Sequence, residues 1–152
     1  MRSRVIVGNG EVIEDATVVV AGERIQRVSR ADPAIVATQR IDARGRTLMP
    51  GLIDTHVHIG WHFDRETGRL HSGDSTDGEA DRALYAAGNA WAMLESGVTT
   101  VQSLGGPEDV PLRDAIAGGT LPGPRVITSI QPITSGTGDP AEIRDNPDVQ
   151  AA

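Results

Sequence analysis

The period of the apolar residues changes at Pro50-Gly51, and that change limits the folds open to this chain. Upstream, short apolar runs alternate with turn residues. Val5-Ile6-Val7 leads into Gly8-Asn9-Gly10-Glu11, and Val12-Ile13 and Ala16-Thr17-Val18-Val19-Val20 lead into Ala21-Gly22-Glu23-Arg24. Ile25-Gln26-Arg27-Val28 alternates as a half-buried strand does, and Ile41 to Leu48 offers one more short strand. No helical period occurs here, so residues 1–49 read as a small antiparallel sheet. Downstream, strands alternate with helices. Leu52 to His58 is a strand. Thr76-Asp77-Gly78-Glu79 has the form of a capping box, after which Leu84, Ala87, Trp91 and Leu94 share one helix face that ends at Gly97. Val98 to Val101 is a buried-type strand, Val110 to Ala117 a short amphipathic helix closed by Gly118-Gly119, and Pro124 to Thr128 the next strand. Asp139 as N-cap with Pro140 behind it starts a further helix.

Strands alternating with helices predict parallel βαβ units, so residues 50–152 read as α/β. A parallel sheet needs both faces covered, and the strands supplied are few. A complete (β/α)₈ barrel takes roughly 250 residues, whereas this chain has 152. The architecture therefore reads as incomplete at its C-terminal side, with an unpaired apolar edge that invites aggregation when the chain is made alone. The stretch from Ile59 to about Thr76 has no period and is long for a connection, as lids and binding loops are.

Composition removes several functions. With no Cys, a disulfide framework, a thiol nucleophile and a thiolate metal site are excluded. With no Lys, a Schiff base and a P-loop lysine are excluded within these residues. A net charge of −7, with arginines interleaved among acids, argues against a nucleic-acid groove. The apolar runs fall far short of the ~20 residues that span a bilayer. The first residues lack the apolar core of a secretory signal, so a cytoplasmic location is expected. No Walker A, G-x-S-x-G or H-E-x-x-H string occurs, and Gly8-Asn9-Gly10 lacks the third glycine of a dinucleotide fingerprint because Ile13 stands there.

His56-Val57-His58 carries the chemistry. On a strand the side chains repeat every two residues, so both imidazoles point to one face. Two neutral imidazoles so placed can hold one divalent cation at ~2.0–2.1 Å from each nitrogen. They sit where the apolar strand ends, which in a parallel α/β barrel is the end that carries catalysis. A lone H-x-H also arises in ordinary packing, so its surroundings decide.

The string Leu48-Met49-Pro50-Gly51-Leu52-Ile53-Asp54-Thr55-His56-Val57-His58 resembles the first-strand signature of the amidohydrolase superfamily, usually P-G-[LFW]-[IV]-D-x-H-x-H. The segment before it, with G-N-G-E-V and A-G-E-R-I-x-x-V, is similar to the start of that superfamily's accessory β-sandwich. Glu95 to Val101, Leu112 to Ile116 and Pro122 to Ile127 are similar to the imidazolonepropionase-like branch, which includes Xaa-Pro dipeptidase-like enzymes. The resemblance implies the N-terminal part of a metal-dependent (β/α)₈ TIM barrel (residues 50–152) preceded by a β-sandwich segment (residues 1–49). It implies a hydrolase of carbon–nitrogen bonds in amides or cyclic amides, working through a metal-activated water on a small-molecule substrate. His56 and His58 match the two histidines on the more buried metal, usually zinc. Asp54 matches the acid before them, for which a structural hydrogen-bonding role is the expectation. The family's later lysine or other bridging ligand, two further histidines and a catalytic Asp have no counterpart here, so no catalytic residue is assigned and the isolated chain is expected to be inactive.

Other residues carry alternatives. Trp61 and Phe63 line a substrate pocket or anchor the loop. His62 and His71 join His56 and His58 in a local histidine site or simply titrate in a surface loop; Trp61 and His62 are the substrate-binding candidates. Trp91 is read as core. Thr134 to Asp139 has the form of an anion nest, which helix-entry chemistry explains without a ligand. A second class of function stays open: a non-catalytic remnant or binding module, or one half of a split enzyme. The substrate, the metal's identity and a homo-oligomer in the full-length form are not fixed by these residues.

Overall fold

In the computed structural model, residues 3–31, 34–72 and 76–130 are described. The expected loop at Ile133 to Gly138 and the helix start at Asp139-Pro140 lie outside them. The chain divides into two compact units, Met1–Pro50 and Gly51–Ala152.

The first unit holds β1 (Arg4–Ile6), β2 (Val12–Glu14), β3 (Ala16–Ala21), β4 (Arg24–Arg30) and β5 (Thr47–Leu48). They form two small sheets. β2 and β5 flank β1, the first antiparallel with Val5 opposite Ile13, the second parallel. β3 and β4 form an antiparallel hairpin with an irregularity at Val19/Val20, turned at Gly22 with φ 58°. The expected purely antiparallel sheet is thus corrected to a mixed one. The strand expected from Ile41 shrinks to Thr47–Leu48, because Asp42 turns the chain by accepting from the backbone N–H and guanidinium of Arg44. Val5 is buried, whereas Val20 and Ile25 are 58% and 67% exposed. Ile25 therefore lacks the half-burial its alternation predicts: it sits at the turn end of the hairpin, whereas Val28 towards the other end is half-buried.

In the second unit, β6 (Leu52–Val57), β9 (Val98–Ser103) and β10 (Arg125–Thr128) form a parallel sheet ordered β10-β9-β6. Between β6 and β9 come a short hairpin, β7 (His62–Phe63) with β8 (Leu70–His71), and the helix α1 (Glu79–Glu95). Between β9 and β10 lies α2 (Asp109–Ala117). The core joins Val57, Ile59, Ala86, Ala90, Val101, Leu112 and Val126. A β-carbon on Gly51 would land inside the Thr99 side chain, so glycine lets the chain enter β6 beside β9. Leu52 and Ile53 are 50% and 67% exposed, since β6 pairs with β9 and no other described strand. No helix among the described residues is long and apolar enough to cross a membrane.

The helix differs from its sequence reading in two respects. It begins after Gly78 with no side-chain cap, so Thr76 and Glu79 make no capping box; Glu79 and Asp81 instead place negative charge on the N-terminal dipole. It also turns another face inward. Ala86 and Ala90 are fully buried, while Trp91 is half exposed and Leu84 largely so. At 3.6 residues per turn, Leu84 and Trp91 lie about 100–160° round the axis from Ala86 and Ala90. The small pair admits the helix close to Val101, which is itself fully buried. Gly97, with φ 93°, ends the helix as expected.

Candidate metal centre

The β6 strand delivers the two histidines to its end. Val57 is buried in the core, and its carbonyl accepts from Leu104 N–H at 2.9 Å. Its neighbours on either side therefore point away from the core together. The His56 and His58 rings meet edge to face, with centroids 5.6 Å apart and planes at 74°. A cation ~2.0–2.1 Å from one nitrogen of each ring keeps two centroids roughly 5 Å apart, so this separation suits a shared ion. His56 is exposed and His58 half-buried. The Asp54 carboxylate accepts from His56 N–H at 3.1 Å, a local turn bond that matches its expected structural role.

The turn after the pair is fixed from both sides. Trp61 N–H donates to His58 C=O at 3.0 Å, and the Trp61 indole stacks on the His58 ring at 3.9 Å with 9° between planes. Asn89 on α1 donates to both Ile59 C=O and Trp61 C=O at 2.8 Å. Trp61 thus anchors the loop and orients His58. It also lines a cleft of about 570 Å³ with His58, His62, Phe63, Tyr85 and Asn89, which brings both substrate-binding candidates to one wall.

The aperiodic stretch read as a long connection contains the β7–β8 hairpin. Asp64 nucleates its turn, its carboxylate accepting from the backbone N–H of Glu66 and Thr67 and from the Thr67 hydroxyl at 2.6–3.0 Å. The Thr67 bonds, backbone first, hold the Asp64 carboxyl below its ordinary range. The register sets His62 opposite His71. Their rings lie 4.7 Å apart, and His62 stacks on Tyr85 at 3.4 Å. His71 Nδ1 and the Asp77 carboxylate are 3.1 Å apart. Among the described residues, His62, His71 and Asp77 are the one group of three such side chains whose donor atoms lie within 4.8 Å of one another. His56 and His58 belong to no such group, so of the two alternatives the joint four-histidine site is not assembled among the described residues; the histidines pair off two by two.

Sequence reasoning missed several of these residues. Asn89, Arg82 and Asp77 stand among polar loop and helix positions, and only the inward face of α1 gives them a target. Glu108 and Asp109 are buried at the start of α2. Glu108 lies 3.7 Å from Arg82, and Asp109 accepts from the Thr128 hydroxyl at 2.6 Å, tying α2 to β10. The Asp64-x-x-Thr67-Gly68 string was a turn signal that could have revealed the hairpin.

The chain belongs to the amidohydrolase family, whose sequence profile matches residues 47–149. It is 34% identical over 118 residues to an imidazolonepropionase of Micrococcus luteus, covering 73% of this chain and 26% of that protein. Among solved structures, a prolidase complexed with N-methylphosphonate-L-proline is similar at a TM-score of 0.68 and 31% identity, over 85% of this chain and 32% of that one. A Xaa-Pro dipeptidase with bound methionine, 24% identical, shares the fold at a TM-score of 0.65 over 86% of this chain and 34% of that one. The chain thus spans about a quarter to a third of the length of these relatives. The fold is consistent with part of the amidohydrolase barrel, and the described residues form no closed barrel.

Proposed function

We propose that this chain is the N-terminal part of a metal-dependent hydrolase that cleaves carbon–nitrogen bonds in amides or cyclic amides. Residues 50–152 supply the first βα units of a (β/α)₈ barrel, and residues 1–49 supply part of a β-sandwich. The observation that carries this reading is the His56–His58 pair, two imidazoles at a separation suited to one cation, at the end of a parallel strand in a chain of this family. In this reading His56 and His58 hold a divalent metal, with zinc the ion that imidazole donors suit. When bound, the metal supplies Lewis acidity toward a carbonyl and a water made acidic enough to attack it. The chain's own residues then do the positioning. Trp61 keeps the His58 ring in plane, Asp54 holds the backbone beneath His56, and Trp61 and His62 form a wall for a small-molecule substrate. The remaining ligands and a proton-moving Asp come from barrel strands outside these residues. The exposure of Leu52, Ile53, Leu84 and Trp91 is consistent with surfaces that further barrel elements cover. A cytoplasmic setting goes with this reading.

Reading the frame downstream of Ala152 and assaying the extended protein tests it. The expected result is a continuing frame with a later metal ligand set, and in the His56→Ala/His58→Ala variant the loss of amide hydrolysis together with the zinc held at that pair, counted against the unsubstituted protein. A variant with unchanged zinc content and unchanged turnover overturns the assignment. An immediate stop codon with a co-purifying second polypeptide would make the chain one half of a split enzyme.

A further inference from the structure

The loop after β6 holds a second set of donors, and we propose that His62, His71 and Asp77 form a separate site for a divalent transition-metal cation that clasps the β7–β8 hairpin to the start of α1. The proposal stands whether or not His56 and His58 hold an ion.

Three observations carry it. The first is the placement of the donors. His62 and His71 are direct cross-strand partners, so their rings share one face of the hairpin. Asp77, two residues before α1, brings a carboxylate to both: 3.1 Å from His71 Nδ1 and 3.6 Å from His62 Nε2. A separation of 3.6 Å is too long for a hydrogen bond. It falls within the span of two donors on one ion, which reaches about 4.4 Å when each lies at ~2.0–2.2 Å. The triad's donor atoms all lie within 4.8 Å of one another, so small side-chain shifts bring them onto one ion.

The second observation is burial. The His62, Asp77 and His71 side chains are 8%, 15% and 24% exposed. One carboxylate and one imidazole suffice for a hydrogen bond that ties hairpin to helix, and His71 with Asp77 already makes it. A second imidazole, stacked on Tyr85 with its Nε2 turned to the same carboxylate, adds nothing to that bond. It does complete a ligand set.

The third is the chemistry of the set. Two neutral imidazoles and one carboxylate, with positions left for water, suit zinc, nickel, copper or iron rather than magnesium or calcium, which prefer oxygen ligands. The site joins residues 62, 71 and 77, so a bound ion restrains the loop that walls the cleft beside His58.

Zinc alone is the probe. The 152-residue chain carrying His56→Ala and His58→Ala is equilibrated with Zn²⁺ against a chromophoric chelator, and bound metal is counted. We expect one zinc per chain. Adding Asp77→Asn, which keeps the side chain's size, or His71→Ala should weaken binding at least tenfold with unchanged far-UV circular dichroism. No zinc on the His56→Ala/His58→Ala chain, or full affinity after Asp77→Asn and His71→Ala, overturns the proposal. Should a variant unfold, the unsubstituted chain decides through its ring-nitrogen NMR signals: His62 and His71 must both shift on zinc addition, and constancy of either contradicts the site.

Discussion

The two histidine pairs use the same side chain in opposite ways. His56 and His58 stand two apart on one strand, with centroids 5.6 Å apart, and no described carboxylate forms a third donor with them. His62 and His71 face each other across a hairpin at 4.7 Å, with Asp77 against both. The first pair lies at the open end of a parallel sheet and leaves room for donors from other strands. The second is closed in by Tyr85 and α1 and needs little more from the protein. In the proposed reading, a strand end presents half a metal site that other barrel strands complete. In the same reading, a hairpin folded on a helix presents a local one. The two should respond differently to the loss of one ring.

That contrast can be broken most sharply by stability. His62→Ala removes a buried, stacked ring and should cost about 1–3 kcal/mol in metal-free buffer. His56→Ala removes an exposed ring and should stay within about 0.5 kcal/mol. Urea melts of the two variants check this, and equal costs would mean that the hairpin does not pack as described.

A smaller effect sharpens the account of the hairpin itself. The Asp64 carboxyl lies below its ordinary value of 3.8 because the Thr67 N–H and hydroxyl, then the Glu66 N–H, favour its charged form. A carboxyl lowered in the folded state adds stability above its unfolded value and loses it as pH falls through the folded one. Amide exchange at Thr67 should therefore be slow at pH 6 and quicken below pH 4, and Asp64→Asn should flatten that dependence. Exchange indifferent to pH, after correction for intrinsic rates, would remove Asp64 from the turn.

The contrast also explains what the sequence could tell. The His56–Val57–His58 spacing is local, and a strand's period of two places both rings on one face without knowledge of anything else. The pairing of His62 with His71 depends on hairpin register, which the six loop residues 64–69 do not advertise. The strands β6, β9 and β10 and both helices were legible because their apolar runs and glycine stops are local signals. The inward face of α1 was not. Leu84 and Trp91 form the larger apolar stripe, yet Ala86 and Ala90 are buried, because close packing on Val101 rewards small side chains. Trp91, read as core, is 47% exposed for that reason. Asn89 likewise gains meaning only from the two carbonyls it meets.

The central claim is that one ion is shared by the two rings flanking Val57. With four histidines in the chain, each imidazole can be followed separately by nitrogen-15 NMR during a zinc titration. The account predicts that the His56 and His58 ring nitrogens shift together, with one common midpoint. Movement of one ring without the other, or two separate midpoints, would contradict it.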